Sequence, residues 1–276
     1  MERGKLYICP TPIGNLEDIS FRTIRILEEA DLIAAEDTRH TIKLLNHYDI
    51  KKPLTSYHEH NIKEKGMELI ERLNNGTNIA LVSDAGMPGI SDPGEALIGE
   101  AIDEGIEVIV LPGATASITA LVGSGLPTDK FIFEGFLSPK KNERVKELKR
   151  IKEYKYTTII YEAPHRLLNL LEDMLDALGE RKISISRELT KKYEETFRGT
   201  IDEALNYFRD SGVRGEFVLI LEGNQEEEVE EEVDIESLLR KFIEEGMTKK
   251  EAVKKIAHEY GVAKNEVYRI SVKISE

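Results

Sequence analysis

Four short polar groups hold side chains that could bind ligands or move protons, and each lies near the end of an apolar, strand-like run. The groups are AAEDTRHT (34–41), SYHEHN (56–61), YEAPHR (161–166) and SRELTKKYEE (186–195). On a strand, His58 and His60 would share one face, but no third metal ligand is evident, so we predict no metal site. The pairs Asp37–Arg39 and Arg187–Glu188 suit either a functional site or structural ion pairs.

Three loops rich in glycine and proline follow strand-like runs, at PTPIGN (10–15), SDAGMPGISDPG (83–94) and PGATASITA (112–120). Glycine lets a ligand approach the backbone closely. In open α/β sheets, ligands bind beyond the carboxyl ends of the strands. The loops therefore predict a site for a polar cofactor. Neither GxGxxG nor GxxxxGK[ST] occurs, which argues against an ordinary dinucleotide site and against a P-loop hydrolase.

An α/β fold follows from the alternation of apolar runs with amphipathic stretches up to about residue 224. In the first block we predict strands at 6–10, 31–37, 78–86 and 106–114, with helices at 21–30, 64–76 and 95–105. In the second block we predict strands at 131–137, 157–164, 182–189 and 215–223, with helices near 141–153, 165–179 and 200–210. This order is typical of a parallel sheet covered on both faces. We expect two α/β domains, 1–115 and 116–224.

The net charge of −14 is unevenly distributed. Glu226 to Glu236 contains eight acidic residues and no basic one, a composition typical of a solvated linker, which we place at 225–233. The segment 138–155 instead has eight lysines and arginines against three glutamates. It suits either contact with nucleic-acid phosphates or a solvated helix face.

Residues 234–276 have the pattern of a small, separate helical domain. A helical stretch at 234–246 ends at a glycine, and Thr248 followed by Glu251 matches a capping box. A third helical segment follows, so we predict a helix-turn-helix-like unit. Contact with nucleic acid and a packing or dimerisation role both remain open for it.

Several classes of protein are disfavoured by composition. No apolar stretch approaches the roughly 18 residues that a membrane-spanning helix needs. The N-terminal segment MERGKLYICP lacks the apolar core of a signal peptide. The single cysteine, Cys9, has no partner for an internal disulfide and lies in a strand-like run. We therefore expect a cytoplasmic protein that is not attached to a membrane.

The motifs TPIGNLEDIS, EDTRHT, SDAGMPGISDPG, PGATASITAL, FEGFL, YEAPHR and RELTKKYEE occur in this order over about residues 5–223. Together they resemble the tetrapyrrole methylase family, and within it the members that methylate small-subunit ribosomal RNA. The tail is similar to a small helix-turn-helix domain that many such members carry. The resemblance implies two α/β domains with S-adenosylmethionine in the cleft between them, usually in a homodimer. It also implies 2′-O-methylation of a cytidine ribose in the decoding region of 16S rRNA, with naked rRNA or the assembled small ribosomal subunit as substrate.

The resemblance also implies which residues bind the cofactor. Carried over by motif, they are Pro12, Ile13, Gly14, Asp84, Ala85, Gly86, Met87, Thr115, Ala116, Gly215 and Glu216. Because a sulfonium methyl group is already activated, alignment with the nucleophile is the main requirement. A general base would assist a ribose hydroxyl. The candidates are Asp37, His58 and Glu188, and the sequence does not choose among them.

RNA phosphates would be bound by two sets of basic residues under this interpretation. One set is Arg39, Arg166 and Arg187, and the other, in the basic segment, is Lys140, Lys141 and Arg144. Two alternatives remain. A small-molecule methylase acting on a tetrapyrrole would keep the fold and the cofactor. A non-catalytic ribosome-binding assembly protein would use only the basic surfaces.

Overall fold

The apolar runs of the first block form a five-stranded sheet in which every pairing is parallel. The computed structural model describes residues 2–225 and 234–274. The strands, in sheet order, are β3 (Leu54–Ser56), β2 (Leu32–Ala35), β4 (Ile79–Val82), β1 (Leu6–Ile8) and β5 (Val108–Val110). Every residue of β2 and β4 is buried. Strands with both faces buried require helices on both sides of the sheet.

Four helices provide this cover: α1 (Phe21–Glu29), α2 (Thr38–His47), α3 (Ile62–Asn74) and α4 (Gly94–Asp103). Leu69 of α3 and Leu97 of α4 pack on one face, and Leu27 of α1 and Leu45 of α2 pack on the other. The predicted helices α1, α3 and α4 are confirmed to within two residues at each end. Neither α2 nor β3 was predicted from the sequence.

The second block forms another five-stranded sheet, but it is mixed rather than parallel. Its order is β6 (Phe131–Phe136), β7 (Thr157–Glu162), β10 (Phe217–Leu221), β8 (Lys182–Arg187) and β9 (Glu195–Thr200). Only β6 and β7 pair in parallel, and the other three pairings are antiparallel. The edge strand β9 was not predicted, because its half-exposed residues show no clear apolar alternation.

The helices α6 (Lys141–Lys152), α7 (Leu167–Leu178) and α8 (Ile201–Ser211) cover one face of the second sheet. The other face is covered by α5 (Ala116–Ser124). The segment 112–120 was expected to be a loop, and this was wrong from Ala116 onward. Ala120 and Leu121 of α5 pack on β7 and β10, and tertiary packing of this kind stabilises a short helix.

The chain divides into two compact units, Met1–Asn224 and Gln225–Glu276. In the second, α9 (Ile235–Glu244), α10 (Lys249–Glu259) and α11 (Lys264–Lys273) share a core that includes Leu239, Ile256 and Val267. The capping box of Thr248 and Glu251 is confirmed. Residues 226–233 of the expected acidic linker lie outside the described residues.

Cys9, directly after β1, is fully buried, and burial raises the pKa of its thiol to about 12. A thiol that stays protonated at neutral pH is a poor nucleophile.

Within residues 2–225 and 234–274, no helix combines the length and apolar character needed to cross a membrane.

Candidate active site

A cavity of about 560 Å³ lies where the two sheets meet, and both halves of the first unit line it. The first half contributes residues that follow the carboxyl ends of β1, β2 and β4, together with Thr115, which directly precedes α5. The second half contributes the carboxyl ends of β7 and β8 and the amino end of β10. These ends meet because β10 runs antiparallel to both neighbours. The volume is within the range of small-molecule sites.

Most of the residues expected to bind a cofactor line this cavity. They are Ile13, Asp84, Ala85, Gly86, Met87, Thr115, Ala116 and Glu216. Pro12 and Gly14 instead line a smaller neighbouring cavity of about 220 Å³, together with His40 and Asp84. Gly215 does not line either one, but it lies against the side chain of Glu188.

The first two glycine-rich loops are fixed to each other beside the cavity. The backbone of Thr11 exchanges two hydrogen bonds with that of Gly86, with N···O distances of 2.9 and 3.0 Å. Gly86 has a φ of +83°, and an added Cβ there would lie 3.2 Å from Ile13 Cγ2. A side chain at this position would therefore be strained and would push the loops apart.

Two other glycines allow the segment 188–191 to approach both halves. A Cβ on Gly14 would lie 2.4 Å from Lys191 Cγ, and one on Gly215 would lie 2.5 Å from Glu188 Oε1. Glu188 itself has a φ of +51°, an uncommon conformation for a residue other than glycine. Such backbone conformations concentrate at functional sites.

The three acid–base candidates occupy different surroundings, and only Glu188 lines the cavity. Its Oε1 accepts a 3.0 Å hydrogen bond from Lys191 Nζ. Asp37 caps the amino end of α2 and binds Arg39, which holds the pKa of the carboxyl well below its usual range. His58 lies outside the cavity lining, and its Nδ1 is buried with no hydrogen-bond partner in the described structure.

The three arginines expected to bind phosphate all have partners within the protein. Arg39 is bound to Asp37 but is otherwise exposed. Arg166 pairs with Glu162 and donates a 2.6 Å hydrogen bond to the carbonyl of Leu137. Arg187 pairs with Glu195. Thus the structural alternative, ion pairing, is present for both Asp37 and Arg187, although Arg187 pairs with Glu195 rather than Glu188.

The basic segment contains one wrong prediction. Arg144 is 6 % exposed, and its Nε and Nη2 donate hydrogen bonds of 2.8 and 2.5 Å to Asp173 Oδ2. A guanidinium buried in this ion pair is not available to RNA. Lys140 and Lys141 are on the surface, as expected, next to Glu143 and Asp173 respectively.

The structure adds lining residues that the sequence analysis did not select. Phe136 and Tyr161 contribute aromatic rings with centroids 5.5 Å apart, Glu36 contributes a carboxyl group, and Glu162 lies in the cavity wall with its side chain fully buried. Burial raises the pKa of both carboxyl groups above the ordinary value. Glu36 and Glu162 belong to polar groups noted in the sequence. However, nothing in the sequence distinguished them from their neighbours.

Comparison with known proteins identifies the family to which this architecture belongs. Residues 5–205 match the family described as tetrapyrrole (corrin/porphyrin) methylases. The chain belongs to the tetrapyrrole methylase family. A member of this family from Halalkalibacterium halodurans, named ribosomal RNA small subunit methyltransferase I, is 54 % identical over 98 % of this chain and 95 % of its own length. The Bacillus subtilis protein of the same name is 51 % identical over 97 % of this chain and 94 % of its own length.

Several solved structures share the fold at low sequence identity. Diphthine synthase superposes with a TM-score of 0.61 at 17 % identity, covering 79 % of this chain and 90 % of that one. A uroporphyrin-III C-methyltransferase from Thermus thermophilus, complexed with S-adenosylhomocysteine, gives 0.56 at 18 % identity, covering 79 % and 97 %. As a tetrapyrrole methylase, the chain is a methyltransferase whose cofactor is S-adenosylmethionine. The non-catalytic alternative is therefore set aside.

Proposed function

We propose that this chain methylates small-subunit ribosomal RNA, at the 2′-hydroxyl of a cytidine ribose in the decoding region of 16S rRNA. The observation that carries the substrate class is the 54 % identity, over nearly the whole length of both chains, to a ribosomal RNA small subunit methyltransferase I. Such an enzyme would act in the cytoplasm, where ribosomes are assembled. The position and the 2′-hydroxyl are the finer part of the proposal.

The residues around the cavity fit the cofactor. Thr115 and Ala116 place the amino end of α5 at its wall, and Thr115 makes no side-chain hydrogen bond to cap the helix. The backbone N–H of Ser117 donates a 3.2 Å hydrogen bond to the hydroxyl of Tyr161, and the other N–H groups of the first turn suit a carboxylate such as that of the cofactor's methionine part. Gly86 leaves the backbone of the Asp84–Met87 loop accessible at the cavity. We propose that these residues, with Ile13, Gly215 and Glu216, hold the cofactor, and that Pro12 and Gly14 support them.

The cofactor supplies a methyl carbon on a sulfonium, which is already activated toward a nucleophile. The contribution of the chain is then to hold the ribose hydroxyl in line and to exclude water. Phe136 and Tyr161 at the cavity wall offer aromatic surfaces on which an extruded base can stack. Stacking of this kind would present the ribose to the cavity.

RNA binding is proposed for the exposed basic groups near the cavity. Lys140 and Lys141 precede and begin α6, a few residues after the cavity residue Phe136. Arg39 is the second residue of α2, next to His40, which lines the smaller cavity. Arg166 and Arg187 are also proposed to contact phosphate. They would do so either while still paired with Glu162 and Glu195 or after these ion pairs break. The three packed helices α9 to α11 are proposed as an appended domain at 234–276.

The packing of α5 supports the proposed domain boundary between residues 115 and 116. This helix packs on the second sheet and not within the core of the first.

We also propose a homodimer. Ile118 and Val122 of α5 are exposed, as are Phe131 and Phe133 of the edge strand β6. Phe133 pairs with Ile159 in register and so shares its side of the sheet, the side that carries α5. Exposed apolar surface of this kind is typical of an interface.

The test of the proposed function uses methyl-labelled S-adenosylmethionine. The protein is incubated with small subunits that lack the modification and, in parallel, with naked 16S rRNA. Ribose methylation is then mapped by reverse-transcription stops at low nucleotide concentration. Label on one decoding-region ribose supports the proposal and shows which form of the substrate is used.

Two outcomes would contradict it. Label on a base, or on a ribose elsewhere in the rRNA, would refute the proposed position. If neither RNA takes label while the protein still binds S-adenosylhomocysteine by calorimetry, a small-molecule methylase becomes the better description. A Gly86→Val variant is the negative control. We expect it not to bind the cofactor, because the added side chain would meet Ile13.

A further inference from the structure

We propose that Glu36 is the catalytic residue that accepts the proton of the ribose hydroxyl during methyl transfer. The inference rests on the proposed function and adds to it a residue that was not among the acid–base candidates.

Glu36 is placed by the first sheet. It directly follows the buried strand β2, so its backbone is fixed at the carboxyl end of a central strand. Its side chain lines the cavity and is only partly exposed. The backbone N–H of Asp84 donates a long hydrogen bond of 3.4 Å to Glu36 Oε2. One weak bond orients the carboxylate without occupying it.

The charges around Glu36 favour a proton acceptor. The groups that face it are Asp84 after β4, Asp92 before α4 and Glu59 after β3, and His40 of α2 lies beside Asp84. Burial is the largest cause that raises the pKa of Glu36, the three neighbouring carboxylates add to it, and the Asp84 N–H opposes it. A carboxylate with a raised pKa is a stronger base than an ordinary surface glutamate.

The other carboxylates near the site are occupied. Asp37 is bound to Arg39 through both oxygens. Asp84 Oδ1 accepts a 3.0 Å hydrogen bond from the backbone N–H of Asp37. Asp92 accepts hydrogen bonds of 2.9 and 2.7 Å from the backbone N–H groups of Gly89 and Gly94. Each of these contacts occupies a carboxylate oxygen that could otherwise accept the substrate proton.

The second half of the site offers two further carboxylates, and neither replaces Glu36. Glu188 forms an ion pair with Lys191. The side chain of Glu162 is fully buried beside Arg166, and its Oε1 accepts a 2.8 Å hydrogen bond from the N–H of Ala163. A side chain with no exposed surface does not contact a substrate directly.

In the proposed step, the ribose 2′-oxygen forms its bond to the methyl carbon while the carbon–sulfur bond breaks. The electron pair of the broken bond stays on sulfur. The hydroxyl proton passes to a carboxylate oxygen of Glu36, which later releases it to water. Charge and atoms balance, because a sulfonium and a carboxylate become a thioether and a carboxylic acid.

The test measures single-turnover methylation of small subunits against pH for the wild type, Glu36→Gln, Glu36→Asp and the control Glu28→Gln, at an exposed glutamate of α1 outside the cavity lining. Calorimetry with S-adenosylhomocysteine, and thermal melting, report cofactor affinity and folding for each. We expect Glu36→Gln to lower the rate by at least about 100-fold, with cofactor affinity and melting temperature unchanged. The wild-type rate should fall at low pH, where Glu36 becomes protonated. This fall should be absent in Glu36→Gln. Glu36→Asp should be intermediate, and Glu28→Gln close to the wild type.

A Glu36→Gln rate within about threefold of the wild type would overturn the assignment, since a general base contributes far more. Loss of cofactor affinity in proportion to the rate would also overturn it, because Glu36 would then be a binding residue. If the wild type itself does not methylate RNA, it is the proposed function that fails. That result is read from the same assay before any variant is compared.

Discussion

Arg144 and Asp173 form an ion pair beneath the exposed surface of α6. Both side chains are less than a tenth exposed. The Arg144 guanidinium also donates weaker hydrogen bonds to the carbonyls of Ser138 and Pro139. The pair therefore connects α6 to α7 and to the turn that leaves β6. An arginine in this position serves the fold near the site and does not bind the substrate.

Removing one partner of this pair should destabilise the protein strongly. We expect Arg144→Met to lower the free energy of unfolding by about 3 kcal/mol, because Asp173 would keep a buried charge beside the exposed Lys141. Urea unfolding followed by circular dichroism measures this. The control Lys140→Met, at an exposed pair, should cost less than about 1 kcal/mol. If Arg144→Met left the stability unchanged but weakened RNA binding, Arg144 would instead be a residue that contacts RNA.

At the scale of the element, α6 presents its charge unevenly. Glu143 and Glu147 accept hydrogen bonds from Ser138 at the amino end of the helix, while Lys140 and Lys141 extend from the surface. These two glutamates therefore form hydrogen bonds within the protein, next to the start of the helix. The lysines remain accessible to a polyanion, which is the condition for releasing counterions on binding.

The double variant Lys140→Ala with Lys141→Ala should therefore bind small subunits less tightly at low salt. We expect the slope of log affinity against log salt concentration to decrease by about 0.7–0.9 for each lysine, because each phosphate contact releases counterions. Filter binding over a salt series measures the slope. Lys51→Ala removes an exposed lysine that lies between α2 and β3 and is the matched control. A slope equal to that of the wild type would support the alternative of a solvated helix face.

At the scale of the whole molecule, the proposed dimer makes a simple prediction. Val122 is 74 % exposed on α5, and Met67 is 62 % exposed on α3, over the first sheet. We expect the wild type and Met67→Asp to sediment as dimers and Val122→Asp to sediment as a monomer, because a buried unpaired charge is costly at an interface. Sedimentation equilibrium distinguishes them. A monomeric wild type would contradict the proposal.

Local signals in the sequence determined much of this protein. The alternation of apolar runs and glycine loops predicted the α/β architecture, and the pattern from Thr248 to Glu251 predicted a helix start. Eight of the residues carried over by motif line the cavity. These signals could be read because each depends on residues close together in the chain, where periodicity, turn chemistry and capping are expressed.

The tertiary structure decided the features that depend on distant partners. The antiparallel insertion of β10 between β7 and β8 brings Glu162 and Glu188 to one cavity, although 26 positions separate them in the sequence. Arg144 became structural because Asp173, 29 residues away, lies opposite it. Glu36 and Asp37 are adjacent, yet only Glu36 lines the cavity, while Asp37 caps a helix. Residue type cannot separate such neighbours, because the direction of a side chain at the end of a strand is set by the packing around it.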